Sequence, residues 1–87
     1  MGEGNIINGT VREFIVTNFP LAAKLSVQDE ESLMDRGIVD SLGILDIVQF
    51  LEREFSIEVT DDDLMPEHFS SIQGITSFTR QKIDGAR

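Results

Sequence analysis

The 87 residues (9.7 kDa) suffice for one modest core and a single domain, 1–87, but not for two domains or a large enclosed active site, which argues against a self-sufficient enzyme. Sixteen acidic residues against seven basic ones give a formal charge of −9, so nucleic acid and anionic membrane are poor partners. Cysteine is absent and His68 is the lone histidine, which excludes disulfides, thiolate ligands and a multi-histidine metal site, so any thiol chemistry is imported.

The first periodic segment runs from Ile6 to Asn18, with Ile7, Val11, Phe14, Ile15 and Asn18 at the spacing of one helix face and Gly9 weakening its first turns. Pro20 pushes Phe19 out of the α region, so this helix is expected to stop near Asn18. The N-terminus shows neither a basic region nor an apolar signal core. Met1-Gly2 opens like a myristoylation signal, but Ile6 stands where that signal needs Ser or Thr. No apolar run approaches the roughly 20 residues of a membrane span, and the expectation is a cytoplasmic chain without membrane insertion.

From Phe19 to Asp40 no clean period appears, and a long loop is expected to pack down on the core through Leu21, Leu25, Val27, Leu33, Met34, Ile38 and Val39. The clearest helix then runs from Asp40 or Ser41 to Phe55, with either of those two residues able to serve as N-cap. Ile44, Ile47, Val48, Leu51 and Phe55 fall on its core stripe. Leu42 and Leu45 fall on the wet side, beside Asp46, Gln49 and Arg53. Thr60 to Asp63 reads as a helix start, and Pro66 interrupts it, so only a short helix or turn fits around 61–69. Ser70 and Gln73 form a capping-box pattern before a last helix carrying Ile72, Ile75, Phe78, Thr79 and Ile83, which ends at Asp84-Gly85. The expected fold is all-α, a small four-helix bundle of three main helices and one short one, with a long loop between the first two. Its core would include Val11, Phe14, Ile15 and Phe69 beside the last two helices.

Charge is concentrated. Residues 29–67 hold 13 of the 16 acids and only Arg36 and Arg53 as bases, a net −11, while the rest of the chain carries +2. Such a field reads either as a solvated face or as a docking surface for basic partners.

Three groupings bear on chemistry. Asp61, Asp63 and Glu67 fail as a calcium loop, because Met65 and Pro66 stand where a further ligand and a glycine are needed. Ser41 and His68 lack a nucleophile elbow and an oxyanion hole, and His68 reads as an exposed or hydrogen-bonded structural residue. The third grouping is Asp35-Arg36-Gly37-Ile38-Val39-Asp40-Ser41-Leu42-Gly43, a loop feeding the N-terminus of the amphipathic helix. There Ser41 is either an ordinary cap or a hydroxyl placed to carry a phosphodiester, which the first backbone N–H groups and the helix dipole favour. Gly43 costs up to about 1 kcal/mol of helix propensity in the first turn.

Asp40-Ser41-Leu42 at the head of the second helix, after a glycine-containing loop and before an apolar helix ending Glu52-Arg53-Glu54-Phe55, resembles the acyl carrier protein family. The resemblance extends over essentially the whole chain. It implies a non-enzymatic carrier with 4'-phosphopantetheine attached covalently at Ser41, flanked by Asp40, Leu42 and Gly43, with acyl groups held as thioesters on the prosthetic thiol. A magnesium-dependent phosphopantetheinyl transferase would install the arm from coenzyme A. Leu42, Leu45, Asp46, Gln49 and Glu52 would meet acyl-activating, acyl-transferring or condensing enzymes through their basic patches, the carrier acting as a monomer without a metal of its own. Gly43 and Arg53 stand where fatty-acid-synthesis carriers often have acids, and Ile38-Val39 where peptidyl carriers commonly have a glycine. These departures favour a discrete carrier in a specialised pathway of fatty-acid, polyketide or related biosynthesis. An aminoacyl carrier of D-alanyl or peptidyl type, and a helical interaction module in which Ser41 merely caps, are the alternatives.

Overall fold

A computed structural model of the protein describes residues 3–85, with side chains described from Ile6 onward; the Met1-Gly2 pair lies outside this range. Among the described residues four α-helices occur in chain order: α1 Glu3–Asn18, α2 Pro20–Lys24, α3 Ser41–Phe55 and α4 Ile72–Gly85. Two single 3₁₀ turns, Asp61–Asp63 and Pro66–His68, lie between α3 and α4. No strand is present and no helix is long and apolar enough to cross a membrane among the described residues.

The periodicity of α1 places Ile7, Val11 and Ile15 in the core, with Phe14 half-buried. Asn18 departs from the expected stripe: it is exposed, and its amide donates back to the Phe14 carbonyl at 2.9 Å. The helix runs straight through Gly9, which lies in the open. α1 ends at Asn18 as expected, but Pro20 then starts a helix of its own. Its missing N–H and fixed φ suit the first helical position, and buried Ala22 fastens the turn to the core.

The long loop does pack inward. Val27, Leu33, Ile38 and Val39 are buried, while Leu21, Leu25 and Met34 stay largely exposed. Its backbone is tied to α1 and to the start of α4. The Arg12 guanidinium reaches the Asp29 carboxylate and the Val27 carbonyl, the latter at 2.9 Å. The Leu33 N–H donates to Ser70 O at 2.7 Å, and the Gln73 N–H to Asp29 O at 2.9 Å. These last two bonds draw the start of α4 onto the loop and move its cap by one residue from the expected Ser70. Ser71 accepts from the Gly74 N–H at 3.0 Å, and Ser70 turns its hydroxyl to the Glu67 carbonyl instead.

On α3, Ile47, Val48 and Leu51 are buried and Ile44 and Phe55 half-buried; Leu51, Phe69, Ile72 and Ile75 lie at the centre of the core. α1 meets α3 through Phe14 stacked on Phe50, ring centroids 4.0 Å apart. α3 stops where Ser56 takes a left-handed conformation at φ 54°.

The expected short helix around 61–69 is realised as the two 3₁₀ turns. The first is closed by a reciprocal cap between Thr60 and Asp63. The Lys82 ammonium then fastens that turn to α4, donating to Asp63 at 2.6 Å while lying 5.9 Å from the Phe78 ring centre. This bond, with the Thr60 N–H second, holds the Asp63 carboxyl at about 2, below the ordinary carboxylate range. An unfolded aspartate titrates near about 4, so the tie stabilises the fold fully above that pH and is lost as pH falls through 2. Melting curves of wild type and Asp63→Asn should therefore differ at neutral pH and converge as pH falls from about 4 to 2. A gap that does not narrow between pH 4 and 2 would contradict the assignment.

Candidate functional site

The loop delivers buried Val39 to the mouth of α3, and Asp40 comes next in extended conformation with φ −107° and ψ −174°. Its carboxylate accepts from the Gly43 N–H at 2.8 Å, and its carbonyl accepts the first helical bond, from the Ile44 N–H at 3.1 Å. Asp40 is thus the N-cap. Ser41 becomes the first helical residue, with an exposed hydroxyl that makes no hydrogen bond among the described residues. The cap that Ser41 might have provided is already supplied by its neighbour, which removes the structural reason for a serine there.

Gly43 is buried because Phe19 lies over it. A Cβ at this position would fall 2.8 Å from Phe19 Cε1 and 3.0 Å from Val39 Cγ1. The glycine lets the corner between α1 and α2 close against the first turn of α3. Here it serves as a packing notch whose N–H completes the Asp40 cap.

Leu42 and Leu45 stand out from the helix, 74% and 49% exposed, on either side of Ser41's turn. Asp46 and Gln49 continue along the exposed side and border a shallow polar cleft with Phe14, Asn18 and Arg53. Glu52 differs from these. It is half-buried, and its carboxylate accepts the Val59 N–H at 2.9 Å, holding the segment after α3 against the helix. Arg53 occupies the last turn of α3, where a cation complements the helix dipole.

Beside Ser41 opens an apolar groove of about 240 Å³, lined by Met34, Ile44, Leu45, Leu64, Met65 and Pro66, with Phe69 at its base and Ser41 on its rim. Three separate stretches of chain build it, and within its lining helical periodicity points to Leu45 alone as an exposed apolar residue. The other trace of the groove in the sequence is the pair Leu64 and Met65, both exposed, ahead of Pro66. His68 is half-buried, its ring packed 5.0 Å from Phe78 and 6.4 Å from Phe69. Among the described residues no cluster of His, Asp or Glu is arranged to hold a metal ion.

A free hydroxyl on the first residue of a 15-residue helix, capped independently, suits a phosphodiester, since the helix N-terminus favours negative oxygens. The family model described as the phosphopantetheine attachment site matches residues 10–78, a span containing the whole of α3 and its approach loop. The probable acyl carrier protein PigG of Serratia sp. (strain ATCC 39006) is 27% identical over 81 residues, covering 93% of this chain and 87% of that protein. The chain therefore belongs to the phosphopantetheine-attachment family: it is a carrier and not an enzyme, and its cofactor is covalently attached 4'-phosphopantetheine.

Proposed function

We propose that Ser41 is the attachment residue and that the chain is an acyl carrier, residues 1–87 acting as one domain that presents thioesters to partner enzymes. The observation that carries this reading is the division of labour at the head of α3: Asp40 caps the helix and Ser41 is left exposed and unbonded. Similarity to a probable acyl carrier protein supports acyl cargo over a purely structural role. A transferase brings coenzyme A and magnesium to this turn. The Ser41 oxygen bonds to the phosphorus nearest pantetheine, the phosphoanhydride bond opens, the adenosine bisphosphate leaves, and the hydroxyl proton passes to the transferase. Asp40 keeps the turn formed throughout, and Leu42 offers an apolar contact beside the reacting oxygen.

The partners in this reading are the transferase and enzymes that load, transfer or condense acyl groups, met on Leu42, Leu45, Asp46 and Gln49 by an apolar spot and a basic rim. Glu52 adds charge to that field while its carboxylate stays bonded to Val59. The carrier works as a cytoplasmic monomer.

Incubation with a broad-specificity transferase, coenzyme A and magnesium should raise the intact mass by one arm in wild type. Reversing Asp46 to Lys should lower the transfer rate several-fold without changing the melting temperature. Absence of any addition with several transferases would sink the proposal, and an unchanged rate for Asp46→Lys would remove the docking face.

A further inference from the structure

We infer that the cleft between α1 and α3 receives a carboxylate of the partner enzyme, held by Arg53 and Gln49, about 10 Å from the base that the partner sets on Asp46. This rests on the carrier reading and names the charge pattern that selects its partners: one acid and one base, where a uniformly basic patch is disfavoured.

Arg53 is a cation that the fold leaves unpaired. Among the described residues Arg12, Arg36, Arg80 and Lys82 each reach a carboxylate, on Asp29, Glu31, Asp84 and Asp63, whereas Lys24 and Arg53 reach none. Lys24 lies outside the acidic stretch 29–67, and Arg53 lies within it. The acids on either side of Arg53 in sequence face elsewhere. The Glu52 carboxylate accepts from the Val59 N–H, and Glu54 lines an adjoining cleft with Thr10, Glu13 and Thr17. The helix dipole accounts for a cation in the last turn of α3, but it does not select the side of the helix on which that cation stands.

The cleft supplies the parts of a carboxylate site. It measures about 320 Å³, with Phe14 and Asn18 on the α1 side and Asp46, Gln49 and Arg53 on the α3 side. Gln49 stands one turn before Arg53, so its amide and the guanidinium are neighbours on one helix face. The guanidinium fork pairs a carboxylate at two points and the Gln49 amide adds a further donor. Phe14, its ring stacked on Phe50, walls the site with an apolar surface, which strengthens such a pair by excluding water. Asp46 lies two turns before Arg53, back on the same face and about 10 Å away along the axis. This face therefore runs from negative near Ser41 to positive at its far end. A partner with bases at both places is repelled at Arg53, and one with a base and then an acid is matched at both.

The test uses the full chain before arm attachment, with two helical peptides as probes. The peptides are alike except on one face, where the first carries a lysine and a glutamate two turns apart and the second carries lysine at both places. In titrations followed by NMR, the mixed peptide is expected to shift the Arg53 Nε–H and Gln49 side-chain amide signals, and the lysine peptide to leave them near their free positions. The ratio of the two affinities, mixed over lysine, should fall about tenfold in Arg53→Glu. It should fall about threefold in Arg53→Gln, which removes the charge without reversing it and keeps the test open where the reversal disturbs folding. Lys24→Glu makes the same change of net charge at the other unpaired base and should leave the ratio within about twofold of wild type. The inference is overturned if the mixed peptide moves neither signal, if the ratio is unchanged in both Arg53 variants, or if Lys24→Glu lowers it as far as Arg53→Glu does. A chain that binds the mixed peptide as expected but gains no mass from the transferase is a different result: it removes the carrier reading and leaves the charge preference of the cleft in place.

Discussion

Gly43→Asp is expected to destabilise the fold by about 2 kcal/mol or more, and most of that loss should disappear when Phe19 is also changed to Ala. The substitution introduces the residue type that fatty-acid-synthesis carriers often have at this place. At the third helical position an acid gains up to about 1 kcal/mol from the helix dipole, and removing glycine gains several tenths more. Against this, the new Cβ falls 2.8 Å from one edge of the Phe19 ring and 3.0 Å from Val39. Overpacking of that kind costs about 1–3 kcal/mol, and a carboxylate buried under a phenyl ring adds an uncompensated desolvation cost. Urea denaturation of wild type, both single variants and the double variant would give the coupling, expected to exceed about 1 kcal/mol. An equal cost of Gly43→Asp with and without the Phe19 ring would show that the notch does not explain the glycine.

Ser41→Ala is expected to abolish arm attachment completely while leaving stability within about 0.5 kcal/mol of wild type, because its hydroxyl makes no bond in the fold. Asp40→Ala should do the reverse in kind. Loss of an N-cap carboxylate costs about 1 kcal/mol, a perceptible part of the stability of a domain this size, while the Ser41 hydroxyl proposed to receive the arm is still present. Asp40→Asn, which keeps a capping oxygen, should recover most of that stability. Thermal unfolding and intact mass measured on the same three variants separate the two residues. If Ser41→Ala lost as much stability as Asp40→Ala, the serine would be a structural residue after all.

Those neighbouring residues also show where sequence legibility ends. Both are good N-caps, so pattern alone leaves the choice open, and one oxygen 2.8 Å from the Gly43 N–H decides it. Exposure of Leu42 and Leu45 is legible from helical geometry, because the period of a long amphipathic helix fixes which residues face outward. Local rules fail where distant segments intervene. Gly43 reads as a helix defect, when its cause is a ring 24 positions earlier in the chain. Ser70 reads as the cap of α4, when a bond from Gln73 to the Asp29 carbonyl sets the register one residue later. α2 is a different kind of miss. Its signal, a proline at the first helical position, is present in the sequence, but the same proline is also the reason α1 ends. The groove as a whole is not legible from local pattern, which shows Leu45 and the Leu64-Met65 pair but not that they meet, since its walls come from residues 34, 41–45 and 64–69.

The location of the arm is the most direct test of Ser41 as the attachment residue. The chain holds seven serines, and cleavage after Arg36 and Arg53 releases residues 37–53, in which Ser41 is the only hydroxyl-bearing side chain. After treatment with transferase, coenzyme A and magnesium, that peptide should carry the whole mass of the phosphopantetheine arm, with every other peptide unmodified. An arm found on any other peptide, or a 37–53 fragment that stays at its unmodified mass while the intact chain gains the arm, would contradict the assignment of Ser41.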